Sequence, residues 1–182
     1  ILGVSLAAAR VSSKIKSESL YKYLSEYNEY ILPTPLMNVI NGGAHANNAL
    51  DFQEIMIMPV GAKTFSEALR WGAEIFHHLK LVLSENSFST SVGDEGGFSP
   101  EINNVEEALE LLSKAIKNAG RNLDNDINFA IDAASSEFYK NNFYEMNNGQ
   151  TKIDTNDMIK IWENLVREYP IISLEDPLEE ND

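Results

Sequence analysis

The last third of the chain contains a strand–helix–strand succession, and this limits the fold more than any other feature. Residues 129–132 (FAID) are a short apolar run, residues 155–168 carry apolar side chains at helical spacing, and residues 171–174 (IISL) are a second apolar run. Two strands joined through a helix lie parallel in one sheet, and such a sheet is buried on both faces. The sequence therefore predicts an α/β fold.

The segments before this unit give the order helix, paired strands and two helices. Residues 1–30 are predicted to be helical, with an apolar and aromatic stripe at Leu20, Tyr23, Leu24 and Tyr27. The other predicted elements are strands over 36–41 and 52–58, a helix from the capping box of Thr64 and Glu67 to about Glu85, and a helix from Asn104 to near Gly120. The turn residues at 147–149 predict a small hairpin or a loop excursion.

Charge and cysteine content exclude several classes of function. Acidic residues outnumber basic residues 28 to 14, so the net charge is -14. This charge repels phosphate backbones and anionic lipids, so we expect neither a nucleic acid nor a membrane as partner. The absence of cysteine excludes disulfides and thiolate zinc sites. No apolar run approaches the roughly 20 residues that span a bilayer. The chain lacks an initiator Met, and we expect it to be a piece of a longer protein.

Two carboxylates stand at the ends of the paired strands. Asp132 ends the first apolar run, and Glu175 follows the second. The carboxyl ends of parallel strands share one edge, where α/β proteins bind ligands. Two carboxylates held close together need a cation, and oxygen ligands suit Mg²⁺. Alternatively, each acid caps a helix or pairs with a lysine, and position alone does not decide. Asp176, the next residue, either assists the two carboxylates from a neighbouring position or faces away from them.

A second candidate is the segment Gly93–Gly97 (GDEGG), which we call the acid loop. Its three glycines allow close backbone approach to a ligand. A like-charged neighbour and partial burial would raise the pKa of Glu95, as a general acid requires. Judged from this segment alone, a solvated acidic turn is the better explanation.

A third candidate lies between the first two strands, where Gly42-Gly43 and His45 are followed by Gln53 and Glu54. A glycine loop with a histidine and several amides could bind an anion. However, a single histidine is more often packed and hydrogen-bonded than catalytic. In a regular strand Gln53 and Glu54 point to opposite faces, so they share one site only if the strand end is irregular.

At these residues the sequence closely resembles the enolase (phosphopyruvate hydratase) family. The resemblance extends over essentially the whole chain, with small departures at Ile55 and Ser135, where family members usually carry Phe and Ala. The matching stretches are LPTPLMNVINGGAHANNALDFQEIMIMPVGA (32–62), SVGDEGGFSP (91–100), FAIDAASSEFY (129–139) and YPIISLEDPLEE (169–180).

The resemblance implies a TIM-like (β/α)₈ barrel that opens with the order ββαα. Roughly 250 residues make a complete barrel, so residues 1–182 are expected to form the first half of the C-terminal catalytic barrel domain. The N-terminal α+β domain and the second half of the barrel would then be absent.

The reaction implied is the glycolytic, reversible dehydration of 2-phosphoglycerate to phosphoenolpyruvate by a magnesium-dependent lyase. By resemblance, Asp132 and Glu175 would be ligands of the Mg²⁺ that holds the substrate carboxylate. Glu95 would donate a proton to the departing hydroxyl. Glu54 would assist Glu95 and, with His45 and Gln53, contact the substrate.

Three family parts lie outside the chain: a lysine base and a third acidic ligand downstream of Asp182, and a mobile loop upstream of Ile1 that binds a second Mg²⁺. The alternative is therefore a non-catalytic fragment that acts only as an interaction surface. The resemblance also implies a cytoplasmic protein, with a cell-surface pool in some members, and a parent that forms homodimers or octamers.

Overall fold

The structure is a computed structural model, and it contains helices and sheets in the predicted order. The chain divides into two compact units, Ile1–Pro33 and Thr34–Asp182. Within the described part of the chain, no helix is both long and apolar enough to cross a membrane. The described residues are 1–27, 29–46, 48–93 and 96–182.

The first unit corrects one prediction, because residues 1–30 do not form one continuous helix. Helix α1 (Leu2–Ile15) and the short helix α2 (Leu20–Leu24) are separate. Between them Ser17 adopts a left-handed φ of 53°, and the N–H groups that follow α1 donate back to carbonyls of its last turn. This Schellman pattern ends α1. Tyr27 lies beyond α2, so the predicted stripe is interrupted.

The second unit holds the predicted strands and helices. The caps are confirmed, because the Thr64 hydroxyl accepts a hydrogen bond from the N–H of Glu67 (3.1 Å) and Asn104 Oδ1 accepts one from the N–H of Glu107 (2.8 Å). In chain order the elements are β1 (Met37–Asn41), β2 (Glu54–Met58), α3 (Phe65–Glu85), α4 (Val105–Asn118), β3 (Asn128–Asp132), β4 (Tyr139–Lys140), β5 (Phe143–Met146), β6 (Thr151–Ile153), α5 (Thr155–Glu168) and β7 (Ile171–Glu175).

A four-stranded sheet with the order β1-β2-β3-β7 forms the centre of this unit. Strand β2 is antiparallel to both β1 and β3, whereas β3 and β7 are parallel, as the strand–helix–strand pattern predicts. Strands β4, β5 and β6 form the predicted hairpin excursion as a separate three-stranded sheet. Because the outer strands β1 and β7 of the central sheet do not pair with each other, that sheet is open.

Aromatic stacking joins the helices to the segments beside the strand ends. Phe76 of α3 stacks on Phe98 at a centroid distance of 4.2 Å, and Trp162 of α5 stacks on Phe52 at 4.6 Å. Phe52 and Phe98 are both almost completely buried. Because Phe52 precedes β2 and Phe98 follows the acid loop, the core holds both segments in place.

Candidate active site

Four polar side chains stand at one edge of the central sheet, and we call them the strand-end row. Asn41, Asp132 and Glu175 are the last residues of β1, β3 and β7, and Glu54 is the first residue of β2. Each pairs with the next across the sheet: Asn41 with Glu54, Glu54 with Asp132, and Asp132 with Glu175. Directly paired residues point to the same face of a sheet, so the four side chains share one face.

Backbone contacts beyond β3 and β7 hold the two strand ends together. The N–H of Ala133 donates to the carbonyl of Glu175 (3.0 Å), and the N–H of Ser135 donates to that of Asp176 (3.1 Å). Ala134 and Asp176 both adopt left-handed φ angles, 47° and 44°, so the chain turns sharply after each carboxylate. Asp176 itself is exposed and supports this edge through its backbone carbonyl.

The Asp132 carboxylate makes two hydrogen bonds within the chain. Its Oδ1 accepts from the N–H of Ala134 (3.0 Å), and its Oδ2 accepts from Nε2 of Gln53 (3.2 Å). This oxygen therefore caps the turn after β3, whereas the alternative considered was a cap on a neighbouring helix. The other alternative, a lysine partner for Asp132 or Glu175, is not observed among the described residues. Their lysine ion pairs go to Glu85, Glu145 and Asp157.

The His45–Gln53 loop brings two more predicted residues to this edge. His45 lies in a short 3₁₀ helix (Gly43–His45), and its Nδ1 lies 3.5 Å from Oε1 of Glu54. That contact would be an ion pair only if His45 were protonated. Because β2 begins at Glu54, Gln53 is free of strand alternation and reaches Asp132. The irregular strand end needed for Gln53 and Glu54 to share a site is therefore present.

Asp51 ties the His45–Gln53 loop to the small sheet. Its Oδ1 and Oδ2 each lie 3.0 Å from the backbone N of Asn147, which donates to this carboxylate. Burial raises the pKa of the Asp51 carboxyl, while the backbone N–H groups of Asn147 and Asn148 act in the opposite direction. Sequence reasoning did not single out this contact, because it joins residues 96 positions apart.

The predicted proton donor Glu95 lies outside the described residues, together with Asp94. The glycines on either side of them are described. The N–H of Gly93 donates to the carbonyl of Gly97 (2.8 Å), and Phe98 then pairs with β1. The described ends of the acid loop therefore lie beside β1, whose last residue belongs to the strand-end row.

Asn41 and Asn48 differ from expectation, since their amides bind the protein itself. Nδ2 of Asn41 donates to the carbonyl of Gly97 (2.7 Å), and Nδ2 of Asn48 donates to the carbonyl of Pro100 (2.9 Å). The sequence indicated several amides available to an anion. Their positions at the end of β1 and in the following loop could have indicated a structural role, but the carbonyl partners could not be read from the sequence.

Ser135 offers a stability test. Its side chain is fully buried, and Oγ has no hydrogen-bond partner among the described residues. Because a buried hydroxyl without a partner costs free energy, we expect Ser135→Ala to raise the free energy of unfolding by about 1 kcal/mol in urea denaturation. Ser136→Ala is the matched control, since Ser136 Oγ accepts a bond from Glu180 (3.2 Å) and its removal should not stabilise. A loss of stability in Ser135→Ala would contradict the prediction.

Comparison with known proteins gives one consistent result. Residues 29–182 match the family model described as "Enolase, C-terminal TIM barrel domain". An enolase of Corynebacterium kroppenstedtii is 50% identical over 184 aligned residues, which cover 100% of this chain and 43% of that relative. The predicted class, a partial TIM-like barrel of this type, is confirmed. The chain spans less than half the length of this curated relative.

Proposed function

The chain belongs to the enolase family, and from this premise we propose that it is the segment of a glycolytic lyase that carries much of the active site. The reaction proposed is the reversible dehydration of 2-phosphoglycerate to phosphoenolpyruvate. The observation that carries the proposal is the strand-end row, in which Glu54, Asp132 and Glu175 occupy directly paired positions at one edge of the sheet.

The donor set at this edge fits Mg²⁺. Asp132 and Glu175 stand at directly paired strand positions, and both carry carboxylates, whose oxygens are the ligands that this ion prefers. We propose that these two residues hold the ion and that a further ligand comes from outside this chain. Within the described residues, no group of three His, Cys, Asp or Glu side chains is placed to hold a metal. When bound, the ion would supply positive charge beside the substrate carboxylate.

The remaining predicted residues would bind the substrate and move one proton. In the dehydration a base removes the proton at C2, the bond from C3 to the hydroxyl breaks, and a C2–C3 double bond forms. We propose that Glu95 protonates the departing hydroxyl, which then leaves as water. Glu54 would support Glu95 and contact the substrate with His45 and Gln53, since both Glu54 and His45 remain partly accessible, with 19% and 27% of their side chains exposed.

The base itself is proposed to be a lysine supplied by the rest of the protein, as in the family resemblance. We also propose a cytoplasmic location, with a cell-surface pool as in some family members, and a parent protein that assembles as a homodimer or octamer. These proposals rest on family membership and not on the geometry of the strand-end row.

The test is the formation of phosphoenolpyruvate, followed by its absorbance. We expect the full-length protein to be active with Mg²⁺ and to lose activity with a chelator, because the substrate carboxylate would lose its positive partner. The 182-residue chain alone should be inactive, because the proposed lysine base belongs to the rest of the protein. Inactive full-length protein with Mg²⁺ would contradict the proposed function, and this outcome would favour the alternative of an interaction fragment. An active isolated chain would show that the external lysine is dispensable.

A further inference from the structure

Asn41 is a fully buried amide at the end of β1, with every described bond directed within the protein. It is 0% exposed. Its Oδ1 accepts from Nδ2 of Asn38 (2.6 Å), and its Nδ2 donates to the carbonyl of Gly97 (2.7 Å). Its backbone N–H donates to the carbonyl of Phe98 (2.8 Å). One residue of the strand-end row therefore holds the chain that emerges from the acid loop.

Asn48 makes a second tie between the same regions. Its Nδ2 group donates both to the carbonyl of Asn41 (3.0 Å) and to that of Pro100 (2.9 Å), which uses both of its protons. Its Oδ1 accepts from the N–H of Leu50 (3.3 Å). Asn48 therefore links the His45–Gln53 loop to the segment that follows the acid loop.

Gly93 and Gly97, at the two ends of the acid loop, allow the loop to approach β1 closely. A Cβ added to Gly93 would lie 2.5 Å from Nδ2 of Asn41, and one added to Gly97 would lie 2.8 Å from the carbonyl carbon of Val39. Neither distance is compatible with a side chain. The two described ends of the acid loop are thus pressed against β1 and against the Asn41 amide.

A buried amide is costly unless both of its ends are hydrogen-bonded, and it then specifies one arrangement of the segments it joins. The Asn41 amide meets this condition, and it lies directly opposite Glu54 in the sheet register. The described ends of the acid loop, Gly93 and Gly97, are therefore held beside the last residue of β1.

We propose that Asn41 and Asn48 are positioning residues, which hold the acid loop so that Glu95 can protonate the departing hydroxyl. This inference rests on the proposed function and extends it to two residues whose side-chain amides are hydrogen-bonded to the protein itself. Their loss should slow departure of the hydroxyl more than it weakens substrate binding. It should also spare removal and return of the C2 proton, because that exchange depends on the base.

The decisive variant is Asn48→Ala in the full-length enzyme, since Asn48 is only partly buried and its loss is tolerated more easily than that of Asn41. We expect kcat for dehydration to fall about 10- to 100-fold, with KM changed less than about threefold. Exchange of the C2 hydrogen with D₂O, followed by NMR, should continue at close to the wild-type rate. Asn41→Ser should show the same pattern more strongly if it folds.

The matched control is Asn86→Ala, which removes a comparable bond from an amide to the carbonyl of Val82 (2.7 Å) at the end of α3. It should leave kcat unchanged. Unchanged kcat in Asn48→Ala would overturn the inference, and so would equal losses of dehydration and C2 exchange. A wild-type protein that forms no phosphoenolpyruvate would instead contradict the proposed function, so the two failures are distinguishable.

Discussion

Replacing Glu95 with Gln in the full-length protein is expected to lower kcat for dehydration by about 10²- to 10⁴-fold, while 2-phosphoglycerate still binds. Gln keeps the size and hydrogen-bonding ability of the side chain, but its amide protons are not acidic enough to be transferred to a departing hydroxyl. The barrier for breaking the bond from C3 to oxygen should therefore rise. Phosphoenolpyruvate formation measures the rate, and calorimetric titration with substrate measures binding.

The control for this variant is Glu101→Gln, which removes a negative charge from an exposed residue after the acid loop. Its kcat should match that of the wild type. C2 hydrogen exchange in D₂O gives a second readout for Glu95→Gln, since exchange should persist when only the proton donor is lost. An unchanged kcat would remove Glu95 from the proposed role, and loss of both exchange and dehydration would assign it to an earlier step.

The second large effect is expected for Asp132→Ala, which should raise the Mg²⁺ concentration needed for half-maximal activity by at least about 10- to 100-fold. Even the supporting partners of metal ligands are worth that much, and Asp132 is proposed as a ligand. Asp132 pairs with Glu175 in the strand register, so the loss of one of the two proposed ligands leaves a single acid for the ion. Calorimetric titration with Mg²⁺ measures the effect without depending on turnover.

Asp132→Ala also removes the bond from Asp132 Oδ1 to the N–H of Ala134, so lost structure must be separated from lost metal binding. Asp126→Ala is the matched control, because Asp126 Oδ2 accepts a similar bond from the N–H of Asn122 (2.8 Å) and lies outside the strand-end row. We expect comparable destabilisation in both variants and a changed Mg²⁺ titration only in Asp132→Ala. A normal titration in that variant would refute the proposed ligand.

The local signals were reliable wherever one short stretch of chain controls the outcome. Thr64 and Asn104 cap their helices because each acceptor lies three residues from its donor. Ser17 shows the opposite case. No glycine or proline signalled the end of α1, and a left-handed serine with its backbone bonds ended the helix instead.

The candidate site was only partly predictable for the same reason. Asp132 and Glu175 could be brought together from the strand–helix–strand pattern, since that pattern requires parallel neighbours. The family resemblance assigned Glu54 to the site, but periodicity could not place it beside Asp132, because that position depends on the antiparallel register between β2 and β3. The direction of the Gln53 side chain was equally undetermined until the first residue of β2 was known.

The amino-acid sequence alone was sufficient to predict the α/β class, the helix caps and the two carboxylates that end parallel strands. These features follow from side-chain periodicity and from contacts within a few residues. The placement of Glu54 opposite Asp132, the reach of Gln53 to Asp132, and the amide ties of Asn41 and Asn48 came from the folded chain alone. The reason is physical: strand register and loop docking are set by packing between segments far apart in the chain, and no local pattern encodes them.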